Sequence, residues 1–243
     1  MVVQGNSMSK QEAPFEEHLE ELFRRMRICI SSIIVCSIAC LPFSPMIVEY
    51  LRTTLVPDNV KLMVLDPFEA VISFIEISFM LGIVISMPLI IYHTIKFVSP
   101  GLYEHEKRLV YRVIAIGSLL FVAGTLVCAY VVLPMLYRFC YDIAGGSVTL
   151  FFSLRNLIEY TIAMMIGFGL AFQMPLAVAF LIMTNVLSVE VLTKNRAVAY
   201  ILLALVSVLF LTPETTTLAD LLVTIILIVL YELGIILSKA LKR

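Results

Sequence analysis

Residues 68–97 read FEAVISFIEISFMLGIVISMPLIIYHTIKF, a run of 30 residues that includes only Glu69, Glu76 and Lys96 among Asp, Glu, Lys and Arg. A backbone in hydrocarbon has no water to bond, so every N–H and C=O must be satisfied internally and an apolar run becomes a helix. About 20 apolar residues, rising 1.5 Å each, cross the ~30 Å core of a bilayer. This run clears that length. Working outward from it, five more apolar stretches stand at Ile28–Ser44, Leu109–Leu136, Ile158–Thr184, Ala197–Leu211 and Leu218–Leu237. The chain therefore reads as an all-α membrane protein with six transmembrane helices. Its composition agrees, at 61% hydrophobic, 14% charged and a mean hydropathy of +1.03. A soluble domain of this length is far more polar.

The fifth and sixth stretches are short. Ala197–Leu211 offers 15 residues, a rise of about 22 Å. Asp220 and Glu232 interrupt the sixth near its two ends. Such a pair thins the bilayer locally or tilts little. Pro88, Pro134 and Pro175 fall inside spans, where each removes a helix hydrogen bond and favours a kink.

The basic residues set the orientation. Lys10, Arg24, Arg25, Arg27, Lys96, Lys107, Arg108, Arg112, Lys194, Arg196, Lys239, Lys242 and Arg243 make 13 on one side, against Arg52, Lys61, Arg138 and Arg155 on the other. The positive-inside rule then expects both termini in the cytoplasm. Residues 1–14 lack periodicity and read as a disordered tail ahead of one domain over 15–243. The late start of the first apolar run argues against a cleaved signal peptide. A net charge of −1 carries no message about nucleic acid, because the charges are segregated by side. Cys29, Cys36, Cys40, Cys128 and Cys140 lack metal or redox spacing and read as apolar filler. No cofactor is expected. There is no phosphate-cradling glycine loop and no nucleophile elbow with a base, so the chain does not read as an enzyme.

Residues 14–26 form an amphipathic helix before the first span, with Phe15, Leu19, Leu22, Phe23 and Met26 on one face. Glu16, Glu17, Glu20 and Glu21 occupy the opposite arc. An anionic cytoplasmic membrane surface attracts Lys and Arg and repels Glu. The i,i+4 pairs Glu20–Arg24 and Glu21–Arg25 account for part of this, at about 0.3–0.5 kcal/mol each. Recognition of a cationic partner accounts for the rest. The link from Phe97 to Arg108, FVSPGLYEHEKR, repeats the chemistry: a Pro100-Gly101 turn, then Glu104 and Glu106 beside aromatic residues. A carboxylate at a partly desolvated boundary receives a guanidinium bidentately, which an ammonium cannot imitate. Two such patches on one side suit a ligand carrying arginines followed by a hydrophobic stretch.

The His18-Leu19-Glu20-Glu21-Leu22 segment and the Phe97–Arg108 link resemble the signature regions of the TatC family, the core subunit of the twin-arginine protein translocase. The likeness continues through Gly169–Pro175 and Leu211-Thr212-Pro213 and covers about residues 15–240. It implies a multi-pass protein of the bacterial cytoplasmic membrane, rather than an organellar one, that binds twin-arginine signal peptides of folded cargo. The implied partners are single-span TatA/TatB-type proteins, membrane lipid and further copies of the chain in a receptor complex, with transport driven by the proton-motive force. Carried over residue by residue, Glu21 and Glu106 match the family's acidic recognition positions, and Phe97, Pro100, Leu102, Tyr103 and Arg108 match the motif around the second. Glu17, Glu20 and Glu104 extend the same acidic surface. Gln173 matches a fourth-span position that is often Glu and belongs to the partner-contact region. Phe23 stands where the family often has Arg, and Glu214 precedes by one the usual acidic position after Thr212-Pro213.

Within the bilayer, Glu69 reads as an ordinary interfacial group and Glu76 as a deeper one that needs a partner or water. A carboxylate at bilayer centre costs roughly 2.5–3.5 kcal/mol on insertion scales. Gln173, beside Pro175, suits either a bond to a neighbouring helix or the docking of a partner helix. His18 reads as a solvated or capping side chain, and the histidine placement excludes a haem anchor. A rival function is a secondary transporter of a small cationic solute, with Glu76, Asp220 and Glu232 lining its path. The absence of an internal repeat argues against it.

Overall fold

In a computed structural model, which describes residues 9–56, 61–64, 66, 68–98, 107–144, 151–183, 188–208 and 217–241, the apolar stretches are helical. Four segments are long and apolar enough to cross a membrane: His18–Leu55, Glu69–Phe97, Tyr111–Asp142 and Leu154–Ile182. Two shorter apolar helical segments, Arg196–Val206 and Val223–Ile236, follow them.

Helix α1 (Ser9–Cys40) runs through a 3₁₀ turn, Leu41–Phe43, into α2 (Ser44–Leu55). It starts five residues before Pro14 and so takes in part of what the sequence assigned to the tail. Lys10, Gln11, Glu12 and Ala13 are good helix formers, and that preference carries the helix back past the proline. The amphipathic segment and the first span are thus one continuous helix. Helix α3 (Glu69–Val98) runs unbroken with Pro88 inside it. It packs along α1, where a Cβ on Gly82 would lie 2.8 Å from the Ile33 carbonyl oxygen. Ser32 Oγ donates to Ser86 Oγ across the same interface, at 3.0 Å.

Helix α4 (Lys107–Val127) passes through a π segment, Cys128–Val132, into α5 (Leu133–Ala144). Pro134 explains the widened turn. Its ring lacks an N–H and would press on the carbonyl four residues back, that of Tyr130. The Leu133 N–H accordingly donates to Cys128, five residues back. Helix α6 (Leu154–Ala171) stops at a two-residue turn, and α7 (Met174–Met183) begins with Pro175 in its second position. A proline in the first turn costs nothing, because that N–H has no intrahelical partner. Helices α8 (Val189–Lys194), α9 (Arg196–Val206) and α10 (Thr217–Leu241) follow. The fifth apolar helix is short, as its sequence implies. The sixth stretch, Leu218–Leu237, lies within α10, which has 25 residues.

Two three-residue strands, β1 (Lys61–Met63) and β2 (Phe151–Ser153), pair in parallel with Lys61 opposite Phe151 and Met63 opposite Ser153. Three residues are too few for a period-two alternation to announce either strand in the sequence. They gather the starts of α3 and α6 at one end of the bundle.

The centre holds Ile77, Phe121, Cys128, Leu133, Ile158 and Met164, all fully buried. In lipid the helices gain nothing by hiding apolar surface from water, so close backbone approach and dispersion must hold them together. Glycines provide it. A Cβ on Gly124 of α4 would sit 2.7 Å from the Phe168 carbonyl of α6, and one on Gly169 would sit 2.7 Å from the Phe121 ring. Gly124→Leu should therefore cost about 1–3 kcal/mol of stability through overpacking. Thermal unfolding in detergent should show the loss, whereas Leu119→Ala, at a side chain 68% exposed, should leave the transition in place.

Candidate functional site

The acidic surface is built where the start of α1 meets the end of α3. His18 stacks on Phe97 with ring centroids 4.4 Å apart and planes 16° from parallel. His18 is thus exposed, as a solvated side chain would be, and also forms a contact between the two signature segments. It stands three residues before Glu21, so the stack brings the last turn of α3 beside the α1 carboxylates. An open cleft of about 720 Å³ on α1 is lined by Glu20, Glu21, Phe23, Arg24 and Arg27.

Of the two foreseen pairs, Glu21–Arg25 forms and Glu20–Arg24 does not among the described residues. Arg25 is buried, at 7% exposure, so its guanidinium depends on this partner. Its Nε donates to Glu21 Oε1 at 3.0 Å, and Nη2 donates to the same oxygen. Glu21 Oε2 accepts nothing among the described residues. Glu21 is half-buried and Glu20 exposed, so both face the cleft. The side chains of Glu17 and Arg108 are outside the described set, as are Pro100, Leu102, Tyr103, Glu104 and Glu106 altogether. By chain order Glu106 immediately precedes α4.

In the bundle, Gln173 Nε2 donates to the Gly117 carbonyl of α4 at 2.9 Å. The amide sits in the turn between α6 and α7, where Pro175 starts the second helix. It therefore bonds a neighbouring helix, as one of its two readings required. Oε2 of Glu76 is buried and finds no hydrogen-bond partner among the described residues. Thr212, Pro213 and the Asp220 side chain lie outside the described residues. Glu232 is not a pathway group: Arg196 donates to its Oε2 at 3.0 Å and Tyr200 to its Oε1 at 2.7 Å, tying α10 to α9.

Glu69 corrects the sequence reading. It is 3% exposed, not an ordinary interfacial group. Its Oε1 accepts Ser153 Oγ at 2.6 Å and the Arg155 backbone N–H at 2.6 Å. The carboxylate of α3 thus caps the first turn of α6, where free N–H groups and the helix dipole favour negative charge. The only signal in sequence was an acidic residue at the head of a span, which is also what an exposed one looks like.

This is a polytopic helical membrane protein with a charged cleft on α1, lined by Glu20, Glu21, Arg24 and Arg27, and no enzyme-like centre among the described residues. The chain belongs to the TatC family: that family's model, described as "Sec-independent protein translocase protein (TatC)", matches residues 17–238. It is 32% identical over 228 residues to the Sec-independent protein translocase protein TatC of Methanocella arvoryzae, covering 94% of both chains. It is 33% identical over 231 residues to TatCy of Bacillus subtilis, covering 93% of this chain and 89% of that one. A crystal structure described as the twin-arginine translocase receptor TatC superposes with a TM-score of 0.81 at 28% identity, covering 93% of this chain and all of the other. The chain is therefore a protein-translocase component and not an enzyme, which displaces the solute-transporter reading.

The Glu69 cap makes a graded prediction. Glu69→Ala strands two donors and should cost about 1–3 kcal/mol. Glu69→Gln keeps an oxygen for both and loses only the charge at the helix start, about 0.3–1 kcal/mol. Unfolding of the two variants in detergent should rank them in that order.

Proposed function

We propose that this chain is the signal-peptide receptor and organising core of a twin-arginine export system, a multi-pass protein of the bacterial cytoplasmic membrane. In this reading it spans the membrane six times as one domain, bends at its span prolines and holds both termini in the cytoplasm. The bias of 13 basic residues to one side supports that orientation. The cargo is folded protein whose signal presents an arginine pair. TatA/TatB-type single-span proteins and further copies of the chain complete the assembly, with lipid around it and the proton-motive force as its drive.

The observation that carries the reading is the His18–Phe97 stack, which brings the Glu20–Glu21 surface of α1 against the turn of α3 that leads into the Pro100–Arg108 motif. An arginine pair then has carboxylates on two chain segments, Glu21 on one and Glu106 on the other, with Glu17, Glu20 and Glu104 adding negative potential. Glu21 accepts a second guanidinium on Oε2 without giving up Arg25, whose bonds both land on Oε1. Phe97, Leu102 and Tyr103 offer apolar surface to the hydrophobic stretch after the arginines, and Arg108 balances the charge. Gln173, Pro175, Glu76, Thr212 and Pro213 belong to the region where a partner helix docks.

Photocrosslinkers at positions 21 and 106 should capture a twin-arginine signal peptide, and labelling of those positions from the exterior compartment would refute the orientation. Hydrogen bonds to charged groups contribute about 1.5–3 kcal/mol, so Glu106→Ala should weaken peptide binding by roughly 10- to 100-fold. Export of a folded reporter should be lost while membrane insertion persists. Replacing the signal's arginine pair by lysines should also weaken binding to the unaltered protein, because an ammonium cannot form the bidentate pair. Equal binding of the two peptides would exclude carboxylate recognition of this kind.

A further inference from the structure

The outward face of the π segment and α5 is unlike ordinary lipid-facing surface. Tyr130, Pro134, Met135, Arg138 and Asp142 line an open cleft of about 470 Å³ at one end of the Tyr111–Asp142 span. Tyr130 and Met135 are each 57% exposed. The Tyr50 ring of α2 meets Tyr130 edge-on at 6.4 Å and flanks this face. Arg138 and Asp142 stand one helical turn apart, yet they form no ion pair with each other, and neither bonds anything else among the described residues. Their place at the end of the Tyr111–Asp142 span is where a bilayer's headgroups are expected and where ionised groups cost little. Among the described residues the surface therefore offers an unpaired cation, an unpaired anion one turn away and an apolar wall running from them toward the bilayer centre.

We propose that this face binds a phospholipid whose zwitterionic headgroup ends in a primary ammonium. Arg138 takes the phosphate, for which the planar guanidinium is the suited donor. Asp142 takes the ammonium: residues four apart on a helix lie about 5–6 Å from one another, the scale of a headgroup whose phosphate and nitrogen are two carbons apart. Tyr130, Pro134 and Met135 lie along the acyl chain. An ammonium donates hydrogen bonds to a carboxylate, whereas the trimethylated nitrogen of choline has no hydrogen to give. A purely anionic headgroup would satisfy Arg138 and meet repulsion at Asp142. The site thus selects ethanolamine over both. Placement in the exterior leaflet rests on the orientation proposed above; the headgroup selection does not, since Asp142 ends the span in either orientation.

The test is native mass spectrometry of the full chain released from vesicles of equal phosphatidylethanolamine, phosphatidylcholine and phosphatidylglycerol with matched acyl chains, without cargo, so that a failed receptor reading leaves the result untouched. Exposed charge pairs contribute up to about 1 kcal/mol, so ethanolamine lipid should be retained about two- to five-fold over choline lipid. Asp142→Asn should bring ethanolamine lipid down to the choline level, and Arg138→Gln should deplete both. Equal retention of ethanolamine and choline lipids by the unaltered protein would overturn the proposal without any appeal to variants. So would preferred retention of the glycerol lipid, or self-crosslinking from position 135 that buries this face against a second copy with no lipid enriched.

Discussion

Hydrocarbon gives a backbone no solvent to bond, and two departures from regular helix in this chain carry their own substitutes. At the π segment, the Leu133 N–H reaches back five residues to Cys128, so the turn that Pro134 forces open still closes a bond. At the α6–α7 break, the Gln173 N–H donates to Leu170 at 2.9 Å, and its carbonyl accepts the Ala177 N–H at 2.9 Å. Its side chain then crosses to α4. A polar residue in a span is commonly read as a site, but here it first repairs the scaffold. The same constraint explains the glycines. Since lipid supplies no hydrophobic drive between helices, close approach must hold them, and Gly82 and Gly124 admit a neighbouring backbone while Gly169 admits the Phe121 ring.

The long spans were legible because length and hydropathy decide them, and hydropathy does not depend on tertiary structure. The breadth of the helical elements was less so. Propensity in residues 10–13 extended α1 past a proline that reads as a boundary, and α10 runs four residues beyond the Leu218–Leu237 stretch because a helix, once nucleated, propagates at little cost. The strands escaped notice since three residues carry no periodicity. At the acidic surface, the sequence named the carboxylates and two pairings, of which Glu21–Arg25 forms among the described residues. It could not foresee that Arg25 is buried or that His18 faces Phe97, because both facts belong to the packing of α1 on α3. Gln173 offered two readings, and only the carbonyl of Gly117, 56 residues away, favours one.

Charge is used in opposite ways at the two ends of the bundle. Where β1 and β2 pair, Glu69 is spent on structure, its oxygen shared between a hydroxyl and a backbone amide inside the protein. Where α1 begins, among the described residues Glu21 keeps one oxygen without a donor and Glu20 is exposed. Between α9 and α10, Glu232 is closed on both oxygens by Arg196 and Tyr200. Counting acidic residues would rank these alike. What separates them is how many lone pairs each has left once its neighbours are served.

The Glu69 cap and the strand pair fasten α3 to α6 at one end, while the rest of α3 lies along α1 as far as the His18–Phe97 stack in its last turn. A 30-residue helix is about 45 Å long. Any pivot of α3 about its fastened end is therefore magnified by that whole arm. A turn of about 2° carries the far tip through roughly 1.5 Å at that length, half a hydrogen bond's reach. Geometry alone makes the ring stack the sensitive gauge of this molecule and the buried carboxylate its fulcrum.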